Sequence, residues 1–318
     1  MMKLSNLCLL MNLIFAAMTA VSAESFAADD PAGDEKLKAL IKTVAEQEAI
    51  YANCEMLVAY EYKLVRPAKL DGDVLSSEEK LRIIRQGEFQ FVSKVRKGIC
   101  ADGTPIDYRR VFAFDGKQTR VKSEKIDYRQ PEIKRDKRDN VYDGLKEFWT
   151  SIRPHTFLLA RHTVRQQSLS EYLGQTELRR NQVRIVSVQE NEIVDGFNCV
   201  KVKIETRSIG RGQAQTFRYV WLASERNYFP VKSVVNGSNG VPMEESAVLK
   251  WQEVKPGVWI PKKMKIVGND ILADRMGKIA PSHRREYRVE KIDLKPGYPV
   301  EFFQDVKLPD PPNTKKSE

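Results

Sequence analysis

The chain has 318 residues, 42% of them apolar and 30% charged, with 15 Pro and 17 Gly. These values suit one or two globular domains and exclude a disulfide-stapled miniprotein, a disordered chain and a collagen-like repeat. The formal net charge of +10 favours acidic partners such as anionic lipid, polyanionic sugar or nucleic acid.

Residues 1–28 have the form of a secretory signal. Lys3 supplies a basic start, residues 7–21 an apolar run, and small residues follow at Ala23 and at Ala27-Ala28. Cleavage is expected, with a mature protein in the periplasm and no transmembrane helix. Cys8 lies inside the apolar run, not at the cleavage point, so no lipid attachment is expected. Export makes nucleic acid a poor partner. Cleavage leaves Cys54, Cys100 and Cys199, an odd number for an oxidising compartment. Cys54 and Cys100 are the candidate pair for a bridge, and Cys199 reads as a small buried hydrophobe.

Residues 34–53 place Leu37, Leu40, Ile41, Val44 and Tyr51 on one helical face, with Asp34 as the cap. The period then changes to two over residues 57–65, where Val58, Tyr60, Tyr62 and Leu64 alternate with Ala59, Glu61 and Lys63. Ser76-Ser77-Glu78-Glu79 has capping-box form and predicts a short helical turn. Strands are expected over 86–97, 111–114, 119–121, 183–188, 197–204, 216–222, 231–235, 247–254, 258–266 and 285–292. Asp115-Gly116 and Asp195-Gly196 mark tight hairpins, and Asn236-Gly237, Asn239-Gly240 and Pro256-Gly257 mark further joints. Short links require antiparallel neighbours, because parallel ones need long crossovers.

Residues 141–173 interrupt the strands with a helical insertion carrying Leu145, Phe148, Trp149 and Ile152, broken by Pro154. The expected fold is therefore α+β, a curved antiparallel half-barrel of about ten strands enclosing or covered by the N-terminal helix and the insertion. One domain spans residues 29–308, and residues 309–318 form a flexible tail.

The three histidines, His155, His162 and His283, fall in no metal-ligand spacing. His155 and His162 are expected at a solvated or helix-end position. The chain has no GxSxG elbow, P-loop or strand-coupled GxGxxG, so neither a cofactor nor an enzymatic role is expected. Between Arg109 and Arg138 basic residues outnumber acidic ones, with a knot at Lys134-Arg135-Asp136-Lys137-Arg138. This segment reads as a charged strand edge, with an anionic membrane surface as the functional alternative. Tyr60, Tyr62, Phe217, Tyr219, Trp221, Trp251 and Trp259 are the candidate walls of an apolar ligand cavity. For each of them, ordinary core is the competing reading.

The stretch Phe217-Arg218-Tyr219-Val220-Trp221-Leu222-Ala223, then Tyr228-Phe229-Pro230-Val231-Lys232, then Pro256-Gly257-Val258-Trp259-Ile260-Pro261 resembles the periplasmic outer-membrane lipoprotein-sorting carriers, the LolA/LolB-like family. Asp195-Gly196-Phe197-Asn198-Cys199-Val200-Lys201-Val202 fits the same pattern, and the match is best over residues 172–266. The resemblance implies a half-barrel with a helical lid and a cavity for lipid chains. It leads to an exported soluble carrier, a monomer, with lipid or acylated protein as cargo. Two other readings stay open: an envelope interaction module with a fully packed sheet, and a hydrolase built on two carboxylates.

Overall fold

The computed structural model describes residues 31–127, 134–145, 153–159, 167–178, 181–208, 215–269 and 280–309. Residues 1–28, expected as a signal, and the last nine residues of the expected tail lie outside them, as do His162 and the Phe148, Trp149 and Ile152 face of the expected insertion. Two units divide the chain, Met1–Lys38 and Ala39–Glu318. In the first, Lys38 pairs with Asp34 at 2.6 Å on an exposed turn of helix. Helix α1 runs Pro31–Ala49, and Asp34 sits in its first turn instead of capping it.

The second unit holds fourteen strands: β1 (Cys54–Leu64), β2 (Val74–Gln86), β3 (Phe89–Cys100), β4 (Pro105–Phe114), β5 (Gln118–Asp127), β6 (Lys134–Asp143), β7 (Glu177–Leu178), β8 (Asn181–Val194), β9 (Phe197–Ser208), β10 (Gln215–Ala223), β11 (Phe229–Gly237), β12 (Pro242–Lys255), β13 (Val258–Asn269) and β14 (Pro281–Asp293). These fourteen, the strands among the described residues, join one antiparallel sheet, ordered β6-β5-β4-β3-β2-β1-β14-β13-β12-β11-β10-β9-β8-β7. The chain enters at the centre with β1, meanders to the β6 edge, crosses to the β7 edge, and meanders back until β14 pairs with β1. At about 4.8 Å per strand, such a sheet is roughly 60 Å wide, and twist makes it curl. It is curved and unclosed. The strand count exceeds the expected ten because β2, β6 and β7 have no clean apolar alternation in sequence.

Residues 144–176 make the crossing. Their described parts are a 3-10 turn, Pro154–Leu159, and a short helix α2, Leu169–Gly174. The turn lies against β11, β12 and β13, where Ser246 Oγ donates to the Leu158 carbonyl at 2.9 Å. The insertion starts later than expected, since residues 141–143 still belong to β6. After β14, the segment from Leu294 leads into α3 (Val300–Gln304). It packs on the opposite face, with Phe303 and Val306 buried against Ile84, Phe91, Val111 and Ala113.

The hairpin turns follow their residue chemistry. Asp195 and Gly196 both take positive φ, 51° and 83°, as a two-residue turn matched to strand twist requires. Asp115 holds the β4–β5 turn by accepting from the Lys117 and Gln118 amides at 3.0 and 2.7 Å and pairing with Arg120 at 2.6 Å.

Three expectations are corrected. Ser76–Glu79 is not a helical turn but part of β2, paired with β1 and β3; cross-strand partners on both sides outweigh a local cap. Cys54 and Cys100 are not bridged, and both are buried free thiols, as is Cys199. Cys54 pairs opposite Arg85 and Cys100 opposite Val74. Those β2 residues are separated by roughly 36 Å of extended chain, far beyond disulfide reach. Of the two settings expected for His155, the solvated one is overturned: it is buried in the core, at the start of the 3-10 turn.

Candidate functional site

Residues directly opposite in an antiparallel pair point to the same side, so the register defines rows across each face. On the face that carries the 3-10 turn, one row reads Met56, Ile83, Val92, Phe112 and Val121. The next reads Val58, Leu81, Lys94, Arg110 and Ser123, and the one beyond it Tyr60, Glu79, Arg96, Tyr108 and Lys125. This face thus turns from apolar to cationic within two alternations of β3, β4 and β5. Glu79, buried, takes Lys94 at 2.7 Å and Arg96 at 3.3 Å. Lys94, Arg96, Arg110 and Lys125 gather here, with Glu79 and the pocket-lining Asp107 as the acidic residues. A pocket of about 380 Å³ opens here, lined by Lys94, Arg96, Tyr108 and Lys125 together with Cys100 and Ile106.

The apolar end of the same face is covered. Tyr51, Phe157 and Leu158 pack with Met56, Ile83, Phe229 and Ile260. Leu40, Val44, Leu159, Leu169 and Leu173 pack with Val202, Ile204, Val220 and Leu222. Asn227 ties this cover to the sheet. With its backbone in the left-handed region, φ 54°, its carbonyl meets His155 Nε2 at 2.8 Å. Its side-chain oxygen accepts from the Trp259 amide and the Tyr51 hydroxyl, and its amide nitrogen donates to Gln47 and Gly257. Tyr51 also donates to the Trp259 carbonyl. Burial raises the Tyr51 pKa and lowers that of His155, so both are neutral inside the fold at pH 7. His155 stacks on Phe229 at 3.9 Å.

The seven aromatic candidates do not share one space. Tyr60 and Tyr62 stand on the helix-covered face, at its polar end. Tyr60 is tilted against Tyr287 at 4.7 Å and Tyr62 stacks on His283 at 5.7 Å. Phe217, Tyr219 and Trp221 lie on the other face, because Val220 and Leu222 between them are the residues packed under α1 and α2. There Lys203 Nζ sits 4.8 Å from the Phe217 ring, and Lys201 and Lys232 each sit 5.6 Å from Trp221. Trp251 touches Phe229 and Phe197, while Trp259 carries Arg226 over its ring at 3.9 Å. Sequence reasoning missed Lys94, Arg96 and Tyr108, while Arg110 and Lys125 fall inside the basic 109–138 segment it marked for an anionic surface. Their signal was present as a charged half of each alternating strand, with the charges on the same parity as Val92 and Phe112.

The basic knot at 134–138 lies on β6, an edge strand, and its described residues from Asp136 onward are exposed. Charge on an edge discourages pairing with other chains, as does the two-residue length of β7 at the other edge. Among the described residues, no helix is long and apolar enough to cross a membrane, and no cluster of three or more His, Cys, Asp or Glu could hold a metal.

No family model and no curated protein matches the chain. Solved structures do match at low identity. A DUF1329 family protein from Desulfovibrio piger has 12% identity and a TM-score of 0.38, covering 84% of this chain and 96% of that one. A LolA superfamily protein from Nitrosomonas europaea has 10% identity and a TM-score of 0.37, covering 82% and 96%. A domain of Vibrio parahaemolyticus assigned to outer-membrane lipoprotein sorting has 11% identity and a TM-score of 0.37, covering 83% and 95%.

Proposed function

We propose that this chain is an exported, non-enzymatic carrier of an anionic amphiphile, a lipid or the acyl chains of a lipoprotein. The observation that carries the reading is the change along β3, β4 and β5 from Val92, Phe112 and Val121 to Lys94, Arg96 and Lys125 on one face. An acyl chain would reach the buried apolar rows by displacing part of their cover, driven by roughly 25 cal/mol per Å² of its own apolar surface removed from water. Its acidic headgroup would meet the cationic pocket of about 380 Å³, a volume inside the ~300–1,000 Å³ range of small-molecule sites. Tyr60, on the same row as Arg96, would flank the headgroup. The basic edge strand β6 would draw the carrier toward an anionic membrane surface, each cation near the surface contributing about 1 kcal/mol.

Native mass spectrometry of the protein purified without detergent tests the reading, followed by titration with a fluorescent anionic fatty acid. Bound lipid and saturable uptake are expected. Replacing Lys94 and Lys125 together by Ala should weaken the acid about tenfold and leave an uncharged alcohol of equal chain length unchanged. A protein that arrives empty and takes up neither probe would overturn the carrier. The second reading, an interaction module with a packed sheet, is favoured by the filled space under the 3-10 turn, where Leu158, Leu159 and Leu169 are all but inaccessible. It predicts that empty outcome.

A further inference from the structure

At the other end of the helix-covered face, the last row of the sheet reads Cys54, Arg85, Gln90 and Phe114. Arg85 is therefore a cation among neutral neighbours, and it is only 9% exposed. Its Nη1 has no hydrogen-bond partner among the described residues. It borders a pocket of about 210 Å³ that is also lined by Arg153, Glu48, His155, Ser168 and Ser170. Arg153 contributes a second buried nitrogen, Nε, without a partner among the described residues.

The nearby carboxylates are already engaged. Glu48 accepts from the Leu169 amide at 2.6 Å, the Ser170 amide at 3.0 Å and the Ser170 hydroxyl at 2.6 Å. Glu171 accepts from the Ser168 amide at 2.6 Å in a capping box and lies 3.8 Å from Arg153 Nη2. Neither forms an ion pair with Arg85. Cys54 cannot serve as its counter-ion, since burial pushes that thiol up to about 11. Burial first, then the charge of Arg153, lower the Arg85 pKa to about 10, so the Arg85 guanidinium remains charged at pH 7.

A guanidinium kept charged and dry needs a counter-charge or hydrogen bonds. Here Arg85 faces one small polar space with Nη1 unused, and the part-exposed Arg153, set against Glu171, adds a second unused nitrogen beside it. A guanidinium also matches the planar oxygen pair of a carboxylate or the oxygens of a phosphate. We propose that this pocket binds an oxyanion group, phosphate or carboxylate, between Arg85 and Arg153. The site is separate from the Lys94 and Lys125 pocket and stands or falls without the carrier reading. Its volume admits a small anionic group and a few waters, and excludes an acyl chain.

Calorimetric titration of the purified protein in chloride buffer, with inorganic phosphate in one arm and succinate in the other, tests the proposal. Saturable binding of at least one probe is expected, with a rise in Tm as the probe is added. The tighter probe identifies the group. Arg85→Met should reduce binding at least tenfold while leaving the unliganded Tm the same or higher, because it removes a buried charge that Glu48 and Glu171 offset only from beyond ion-pair distance. Arg153→Gln should reduce binding about tenfold and serves if Arg85→Met does not fold. Lys94→Ala should leave binding unchanged. Absence of saturable binding in both arms overturns the site, as does binding that survives both arginine substitutions.

Discussion

The two halves of the sheet finish their outer faces in different ways. On β2 to β4 the segment after β14 returns as a cover. Phe303 is sealed against Ile84 and Phe91, and Arg82 lies 5.5 Å from the Tyr298 ring while pairing with Glu55 at 2.8 Å. On β9 to β11 no such segment appears among the described residues. The aromatic rings of Phe217, Tyr219 and Trp221 are met by lysine side chains from neighbouring strands and stay half-buried. Apolar surface on a sheet can thus be removed from water by chain or shielded by the stems of cations. The first way contributes far more to stability, and the second leaves a surface that can still meet a partner.

Four substitutions or measurements would break or sharpen this contrast. Phe303→Ala should cost about 3–5 kcal/mol in denaturant unfolding, as expected for a fully buried aromatic; a loss below 1 kcal/mol would mean that the returning segment is not a true cover. Asp115→Asn, at the β4–β5 turn of the covered half, should cost on the order of 1–2 kcal/mol at pH 7. Its pKa is lowered to about 2, chiefly by the Gln118 amide and by Arg120 acting against burial. The stabilisation is therefore complete above the unfolded value near 4 and lost as pH falls through about 2. The gap between wild type and variant should close across that window in acid titrations of stability.

Lys203→Ala, on the lysine-shielded half, should cost at most about 1 kcal/mol, the range of an exposed cation–π contact. A cost matching that of Phe303→Ala would erase the distinction. The smallest effect concerns the thiols. Burial pushes Cys54 and Cys199 up to about 11, so both should resist a thiol reagent at pH 7.5 in the native protein and react once it is unfolded. Fast native labelling of either would show that its strand end opens.

Histidine titration links the cover to pH. His155 is held below its ordinary value by burial. A base whose folded pKa is depressed weakens the fold as pH drops below its unfolded value. Stability should therefore fall between pH 7 and 5, with Tyr51, Asn227 and Phe229 loosening around the imidazole.

Much of the architecture was legible in the residues. Asp195-Gly196 and Asp115-Gly116 needed no tertiary information, because a tight turn demands positive φ and those pairs supply it. Leu40 and Val44 announced a buried helical stripe by their spacing. β2 escaped notice because its covered face carries Ser77 and Glu79, and those became tolerable there only once Lys94 and Arg96 stood opposite on β3. The cationic pocket escaped for a related reason: it is assembled from β3, β4 and β5, each contributing one or two charged residues that look like ordinary solvated positions alone.

By itself, the sequence determined where strands alternate, where they turn and that neighbours run antiparallel, since these depend on local torsions and on a period of two. A period of two is unchanged when the faces are exchanged, so it could not say whether Trp221 or Leu222 looks toward the helices. That choice belongs to the tertiary structure. It depends on α1, the 3-10 turn and α2 filling one side of β10, and on the register that brings Arg85 under them without a close ion-pair partner.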